Sequence, residues 1–273
     1  MVLPNFIICG TQKRGTTALY HYLREHPEIY MSEKKEVHFF DLNWNKGLNW
    51  YEKHFKVTSG AKAIGEASPF YMYLEEVPER IHEILPDAKL IFILRNPVDR
   101  AYSHYWHEVK LGFEYLTFEE AIKKEEERLS DGTIFSKQHY SYKDRGKYIE
   151  QIKRFMKYFS KDQILILLND DLKKNPVNVM RKVFEFLEVD PNFTSPNWHV
   201  PHYVGKQPRI WRLQRLKAKI PISFVHGLID RANLKPGYPP VGPQIRMKLI
   251  EYFKPYNKEL EKFLGRKLDN WYR

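Results

Sequence analysis

A stretch near the N-terminus combines residue types that hold anions. The residues GTQKRGTT at 10–17 directly follow the apolar run FIIC. Glycines let an anion approach the backbone closely, and free N–H groups and the helix dipole converge where a strand leads into a helix. Gly10 and Gly15 have the spacing of the phosphate-binding pattern G-x-x-x-x-G-K-[ST]. Thr16, however, stands where a nucleotide triphosphatase has its lysine.

The cations of this stretch lie between the two glycines, as Lys13 and Arg14. Thr16 and Thr17 open the following helix, and we expect one of them to cap it and to donate a hydroxyl hydrogen bond to the same anion. A plain strand-to-helix turn with threonine caps is the alternative. Two cations between glycines are unusual in a plain turn, so the pattern favours an anion site.

A second stretch, within 90–104, repeats the arrangement of an apolar strand followed by a helix. LIFILR ends in Arg95, an Asn-Pro turn follows, and the helix after it carries Ser103. Arg95 and Ser103 are candidates for a second phosphate, which arginine can hold through two hydrogen bonds. A surface pair of Arg95 with Asp99 is the alternative. A magnesium–ATP site requires an acidic residue at the end of such a strand, where this chain has Arg95. The pattern therefore predicts an anion site without a metal.

The elements that position these loops alternate along the chain. Apolar runs at 4–10, 61–68, 89–95 and 163–169 predict buried strands, and helical patterns begin at Thr16, at Val98 and at 175. Strands that alternate with helices predict an α/β fold with a central, mainly parallel sheet flanked by helices.

The C-terminal third has a different pattern. Prolines punctuate residues 190–242, which predicts irregular loops, and a final helix is expected over about 244–264, ending at Gly265. With no internal repeat, the chain is interpreted as a single domain over 1–273.

Composition restricts the classes of partner. The formal net charge of +11 favours anionic ligands such as nucleotides or acidic polysaccharides. The one cysteine, Cys9, excludes an intrachain disulfide and is expected in the core. No run approaches the ~20 apolar residues of a membrane span. We expect a cytoplasmic protein with no integral membrane segment and no nucleic-acid partner, the alternative being a lumenal domain of a longer anchored protein.

Several segments, in order along the chain, resemble one enzyme family. GTQKRGTT and LRNPVDRAYSHY are similar to the 5′-phosphosulfate loop and the 3′-phosphate motif of sulfotransferases that use 3′-phosphoadenosine 5′-phosphosulfate (PAPS). KKEVHFFD at 34–41 resembles a segment of heparan-sulfate-type members. GEASPFYMY at 65–73, DRGKYIEQIKRF at 144–155 and the C-terminal sequence resemble bacterial carbohydrate-type members.

The resemblance implies a fold, a donor and a set of donor-binding residues. The fold would be P-loop-kinase-like, the donor PAPS and the product adenosine 3′,5′-bisphosphate, without a metal. A loose match at 202–212 adds two residues of a nucleotide-closing loop to the donor set. The implied donor-binding residues are Lys13, Arg14, Gly15, Thr16, Thr17, Arg95, Ser103, Lys206 and Arg209.

The resemblance also implies catalytic roles. Lys13 would stabilise the leaving oxygen, and Glu36 would be the general base, with His38 beside it. In a strand-like stretch residues 36 and 38 share a face, which makes the pair geometrically reasonable. An edge strand with a solvated glutamate is the alternative for the residues themselves.

Three further residues are implied to contact the acceptor: Lys35, Asp41 and Glu66, of which Glu66 is also an alternative base. The sequence Glu66-Ala67-Ser68 departs from animal heparan-sulfate enzymes, which carry a lysine after the glutamate. The acceptor would be a carbohydrate hydroxyl or amine, and aromatic clusters such as FFDLNWNKGLNWYEKHF could line a sugar cleft. A P-loop kinase for small substrates and a non-catalytic binder of nucleotides or polyanions are the rival functions.

Overall fold

The computed structural model describes residues 2–12, 15–56, 60–199, 205–217 and 223–273. The chain groups into two compact units, which are described separately below. The sheet unit comprises 1–95 and 150–202, and the helical unit comprises 96–149 and 203–273. The single domain expected over 1–273 stays a prediction.

Strands and helices alternate over residues 6–111, as the sequence predicted, and further helices then separate the fourth strand from the fifth. The strands are β1 Phe6–Gly10, β2 Ile29–Met31, β3 Ala63–Ala67, β4 Lys89–Leu94, β5 Ile164–Leu168, β6 Lys206–Pro208 and β7 Leu234–Pro236. The helices are α1 Thr16–Arg24, α2 Leu48–Glu52, α3 Val77–Ile84, α4 Pro97–Leu111, α5 Phe118–Leu129, α6 Ile134–His139, α7 Tyr148–Phe155, α8 Asn169–Lys174, α9 Pro176–Leu187, α10 Trp211–Lys217, α11 Ser223–Asn233 and α12 Pro243–Leu264.

The sheet unit is built on a five-stranded sheet of order β2-β3-β1-β4-β5, in which all four pairings are parallel. Successive side chains of a strand point to opposite faces. On one face Phe6 and Ile8 pack in a core with Leu23 of α1 and Phe184 of α9. On the other face Phe92 meets Phe155, with ring centroids 4.9 Å apart. Burial on both faces explains why these strands are continuous apolar runs.

The helical unit has a core in which α4, α5 and α12 contribute Tyr105, Phe118 and Phe253. Asn96 caps α4, because its side chain accepts the backbone N–H of Val98 at 3.0 Å. The helix ends at Gly112, whose φ of +87° suits glycine.

Most predicted elements are confirmed with bounds shifted by a few residues. The central, mainly parallel sheet flanked by helices is confirmed, and so is the burial of Cys9. The final helix ends, as expected, at Gly265, which adopts a φ of +64°. The expectation of irregular loops over 190–242 is wrong in part, because α10, α11 and the antiparallel pair of β6 and β7 lie within it. Pro208 and Pro236 are the last residues of β6 and β7, positions at which a missing N–H is tolerated.

Candidate active site

The carboxyl ends of the parallel strands form one edge of the sheet in the sheet unit. β1 lies at its centre, between β3 and β4. The connection after β1 leads toward β2, whereas the connection after β3 crosses to β4, so the strand order reverses around β1. Ligands of open α/β sheets bind outside the carboxyl ends of strands at such a reversal.

The loop after β1 leads into an unblocked helix N-terminus. Gly15 is the N-cap of α1, with a φ of +98°, and a Cβ there would lie 2.5 Å from Cδ1 of Ile93. Gly15 has no side chain that could cap the helix, and the first turn carries no acidic residue. The expectation that Thr16 or Thr17 caps α1 is therefore wrong, because the cap position falls on Gly15. Uncapped N–H groups at a helix start favour an anion.

The start of this loop is held against β4. The backbone N–H and the hydroxyl of Thr11 both donate to the carbonyl oxygen of Ile93, at 2.9 and 3.0 Å. Arg95 follows two residues later, largely buried at the end of β4. The two loop cations predicted to bind the donor, Lys13 and Arg14, lie outside the described residues.

Two predicted donor-binding segments belong to the helical unit. Ser103 is buried on α4. Asp99 accepts a hydrogen bond from Arg246 at 2.8 Å. Lys206 is exposed on β6, and the backbone N–H of Arg209 donates to the carbonyl of Asn233 at 2.7 Å, which ties this segment to the end of α11.

The segment that carries Glu36 crosses the carboxyl end of β3. The backbone N–H of Glu36 donates to the carbonyl of Ala67 at 3.1 Å. Glu36 and His38 both have left-handed backbone conformations, with φ of +62° and +57°. The strand-like geometry expected for residues 36–38 is therefore wrong. Two left-handed residues cost conformational free energy, and such strain is found at functional sites.

Glu36, His38 and Asp41 nevertheless come together; we call them the edge cluster. Nδ1 of His38 lies 2.8 Å from Oδ2 of Asp41, and Nε2 lies 3.5 Å from Oε2 of Glu36. Asp41 has a fully buried side chain, whereas that of Glu36 is 41% exposed. Lys35 adds a 2.8 Å ion pair with Oε1 of Glu36. The imidazole thus bridges one enclosed and one accessible carboxylate.

The electrostatics of the edge cluster keep both Glu36 and His38 charged. Burial alone would raise the pKa of Glu36, but the hydrogen bond to His38 and the charge of Lys35 lower it to about 2. Burial alone would lower the pKa of His38, but hydrogen bonds to Asp41 and Glu36 raise it to about 9. Glu36 is therefore an ionised, partly exposed carboxylate beside a protonated histidine at neutral pH.

Glu66 lies deeper, on β3, with no exposed surface. Burial raises its pKa to about 7, although three hydroxyl groups donate to it. Those donors are Tyr51 at 2.7 Å, Tyr71 at 2.9 Å and Ser68 at 2.8 Å. The direct acceptor contact and the role of alternative base suggested for Glu66 both conflict with this burial, because an acceptor cannot reach the carboxylate.

The sequence patterns assign no role to Ser68 and Tyr71, which lie in the segment GEASPFYMY. The available signal was their position just after the carboxyl end of a buried strand, where side chains reach the functional edge.

An aromatic and cationic surface is formed by residues on both sides of the edge cluster in the sequence. Trp44 and Trp50 are half-buried and lie beside Phe39, at centroid distances of 5.3 and 6.4 Å. The ammonium groups of Lys46 and Lys34 lie 4.6 and 5.8 Å from the ring centre of Trp50. We call Trp44, Trp50, Lys34 and Lys46 the aromatic ledge.

The described residues contain neither a cluster arranged to hold a metal ion nor a helix able to span a membrane. Across 2–12, 15–56, 60–199, 205–217 and 223–273, no group of three or more His, Cys, Asp or Glu side chains is arranged to hold a metal ion. Within the same ranges, each helix is too short or too polar to cross a bilayer.

Comparison with known proteins adds a family. The model of the sulfotransferase domain family matches residues 3–209, which is more than half of the chain. A sulfotransferase crystal structure from Alicyclobacillus acidocaldarius superposes with a TM-score of 0.78 at 30% identity, covering 100% of both chains.

Two curated relatives are named as heparan sulfate enzymes. A bifunctional heparan sulfate N-deacetylase/N-sulfotransferase 4 of Mus musculus is 32% identical over 99% of this chain, which spans 31% of that relative's length. A heparan sulfate glucosamine 3-O-sulfotransferase 5 of Homo sapiens is 29% identical over 98% of this chain and 74% of its own.

Proposed function

The chain belongs to the sulfotransferase family, and from that premise we propose that it moves the sulfuryl group of PAPS to a hydroxyl or amine of a carbohydrate acceptor. The observation that carries the proposal is the edge cluster. An accessible, ionised Glu36 backed by His38 and Asp41 lies at the sheet edge where the loop after β1 opens an uncapped helix. A pure anion binder has no need of a carboxylate there.

The residues of the loop after β1 fit an anionic donor. The uncapped N–H groups at the start of α1 and the hydroxyls of Thr16 and Thr17 can hold the 5′-phosphosulfate. By resemblance Lys13 and Arg14 complete that set, and the 3′-phosphate belongs to Arg95 and Ser103. Lys206 and Arg209 remain candidates for the nucleotide. When bound, PAPS supplies an activated sulfuryl group.

Glu36 takes the acceptor proton in the proposed reaction. As the acceptor oxygen or nitrogen forms its bond to sulfur, the sulfur–oxygen bond to the phosphate breaks and its electron pair stays on that phosphate oxygen. Lys13 is proposed to stabilise the developing charge, a role that in other enzymes contributes on the order of 10² to 10³ in rate. The acceptor proton goes to Glu36, so atoms and charge balance.

The ion pairs of Glu36 also suggest how its basicity changes during turnover. With a pKa of about 2 it is a weak base in the resting protein. An incoming anion competes for Lys35, and exclusion of water weakens the solvation of the carboxylate. Both effects raise the pKa of Glu36 toward the range in which a base is effective.

The aromatic ledge supports a carbohydrate acceptor. Aromatic faces and neighbouring ammonium groups suit sugar rings that carry acidic substituents, and Trp50 offers both. Phe39, which contacts both tryptophans, follows His38 directly, so an acceptor on the ledge would lie next to the proposed base. The heparan sulfate relatives make glycosaminoglycans the first acceptors to test.

Isothermal titration with adenosine 3′,5′-bisphosphate, without metal, tests donor binding. We expect micromolar binding by the wild type and at least tenfold weaker binding by Arg95→Ala. Binding of ATP with magnesium instead would contradict the proposal and favour the kinase alternative. Transfer of labelled sulfate from PAPS to desulfated glycosaminoglycans then tests the acceptor class, with Glu36→Gln as the inactive control.

A further inference from the structure

Glu66 is a member of the predicted site with no exposed surface. It lies on β3 opposite Ile7 of β1, one residue before the carbonyl group that accepts from the backbone of Glu36. Its contacts therefore lie between the sheet and the segment that carries the edge cluster.

Two of its three hydroxyl partners also hold that segment. Oγ of Ser68 donates to Glu66 and accepts the backbone N–H of His38, at 3.1 Å. The hydroxyl of Tyr71 donates to Glu66 and accepts the backbone N–H groups of Phe39 and Phe40, at 2.7 and 3.2 Å. Three consecutive backbone N–H groups of the segment thus donate to two hydroxyl groups, and both hydroxyl groups donate to one carboxylate.

The direction of these hydrogen bonds depends on the carboxylate. A hydroxyl has one proton to donate. With its lone pairs facing backbone N–H groups, each of Ser68 and Tyr71 needs an acceptor on its other side, and the two oxygens of Glu66 supply one each. A glutamine offers one acceptor oxygen and one donor group, so it can serve only one of the two hydroxyls correctly.

Resting on the proposed function, we propose that Glu66 is a positioning residue, which orients Ser68 and Tyr71 so that they hold residues 38–40 and keep Glu36 and His38 in catalytic alignment. Glu36 and His38 both have positive φ, a conformation that the local backbone does not favour. Surrounding hydrogen bonds have to maintain it, and the bonds through Ser68 and Tyr71 lie next to it in the chain. A misplacement of about 1 Å can cost about 10²-fold in rate.

A matched pair of tyrosines separates positioning from general stability. Tyr51 and Tyr71 are both fully buried and both donate to Oε1 of Glu66. Tyr71 also accepts from the backbone of the segment, whereas Tyr51 stacks its ring on Phe39 at 4.4 Å. Tyr51→Phe and Tyr71→Phe each remove one hydroxyl and keep the ring.

We expect Tyr71→Phe to lower kcat about tenfold and Glu66→Gln about 10- to 100-fold, with the affinity for adenosine 3′,5′-bisphosphate within twofold of wild type. Tyr51→Phe should lower kcat less than threefold. Glu125→Gln, at a buried carboxylate of the helical unit that accepts backbone N–H groups of Lys143 and Asp144, is the control for loss of an enclosed charge. Equal effects of the two tyrosine variants on kcat would overturn the proposal.

Hydrogen–deuterium exchange gives a readout that does not depend on the chemistry. The peptide covering residues 36–41 should exchange at least tenfold faster in Tyr71→Phe and Glu66→Gln, but not in Tyr51→Phe. Unchanged exchange in Tyr71→Phe would overturn the positioning role. If the wild type transfers no sulfate while the exchange pattern holds, the proposed reaction fails and the structural role of Glu66 stands.

Discussion

Two histidine–carboxylate clusters in this protein use the same groups in opposite surroundings. The edge cluster of Glu36, His38 and Asp41 lies on a loop and exposes Glu36. The second cluster, which we call the helix cluster, comprises His104 and Glu108 of α4 and His139 of α6. Oε1 and Oε2 of Glu108 lie 3.3 Å from His104 and 2.7 Å from His139, and both His104 and Glu108 are buried.

The surroundings set opposite protonation behaviour. Burial lowers the pKa of His104 well below its usual value. The carboxylates of Asp41 and Glu36 raise the pKa of His38 to about 9. Despite its burial, Glu108 has a pKa held well below the ordinary value by hydrogen bonds from both histidines. A histidine beside a carboxylate is therefore no sign of catalysis by itself. The edge cluster differs because the carboxylate of Glu36 is accessible to solvent. The hydrogen bonds of the helix cluster instead join α6 to α4.

The largest effect is expected from Glu36→Gln, which keeps the shape of the side chain and removes the base. General bases contribute about 10² to 10⁴ in rate, so transfer from PAPS should fall on the order of 10³-fold. The rate of labelled sulfate transfer under saturating donor measures it.

Glu108→Gln is the control for this variant and should keep transfer per folded molecule within about threefold of wild type. If both variants lost activity to the same extent, the distinction between an exposed catalytic cluster and an enclosed structural one would fail.

Glu108→Gln should instead lower the free energy of unfolding. It weakens two hydrogen bonds to a buried charged group, and we expect the free energy of unfolding to fall by about 1–3 kcal/mol. Urea denaturation at pH 7 should show a lower midpoint with an unchanged slope. Glu36→Gln, with its half-exposed side chain, should shift the midpoint far less, and a larger shift in Glu36→Gln than in Glu108→Gln would contradict the comparison.

The two histidines should give opposite pH dependence of stability. Because the pKa of folded His38 is about 9, above the unfolded value of about 6.5, its stabilisation is full below pH 6.5 and is lost as the pH rises through 9. The lowered pKa of His104 means that its contribution is full above pH 6.5 and is lost as the pH falls.

Urea midpoints between pH 5 and 9.5 can separate these contributions. The difference between wild type and His38→Gln should shrink from pH 7 to pH 9.5. A difference that grows with pH would mean that His38 is not held protonated by Glu36 and Asp41.

The smallest effect is expected from Lys35→Met. Its ion pair with Glu36 is partly exposed, with 26% and 41% of the two side chains accessible. Such pairs contribute at most about 1 kcal/mol, and added salt screens them. The urea midpoint should therefore change little, and the change should vanish in high salt. A salt-independent loss comparable to that of Glu108→Gln would show that the edge cluster is as enclosed as the helix cluster.

Local patterns were sufficient to predict much of the fold. The apolar runs that became β1, β3, β4 and β5 are strands because they are buried on both faces, and continuous hydrophobicity records that directly. The short β2 and the helices α10 and α11 were missed, because a three-residue strand and a proline-flanked helix leave little periodic signal.

The residue types of the proposed site were also evident in the sequence. Glycines with cations between them, an arginine after a buried strand and a Glu-x-His segment each indicate a chemistry that follows from their side chains. The resemblance of these segments to one family then implies PAPS as the donor and Glu36 as the base. The family itself is confirmed by the match over residues 3–209.

Only the tertiary structure decided how these groups are held. The backbone of Glu36 and His38 is left-handed, not strand-like, because only the N–H of Glu36 bonds to β3, at Ala67, whereas the N–H groups of His38 and the next two residues bond to the side-chain hydroxyls of Ser68 and Tyr71. The same contacts enclose Glu66 and leave Glu36 accessible. Sequence spacing specifies which groups are available, whereas exposure and hydrogen-bond partners depend on residues about 30 positions away, and folding alone brings those together.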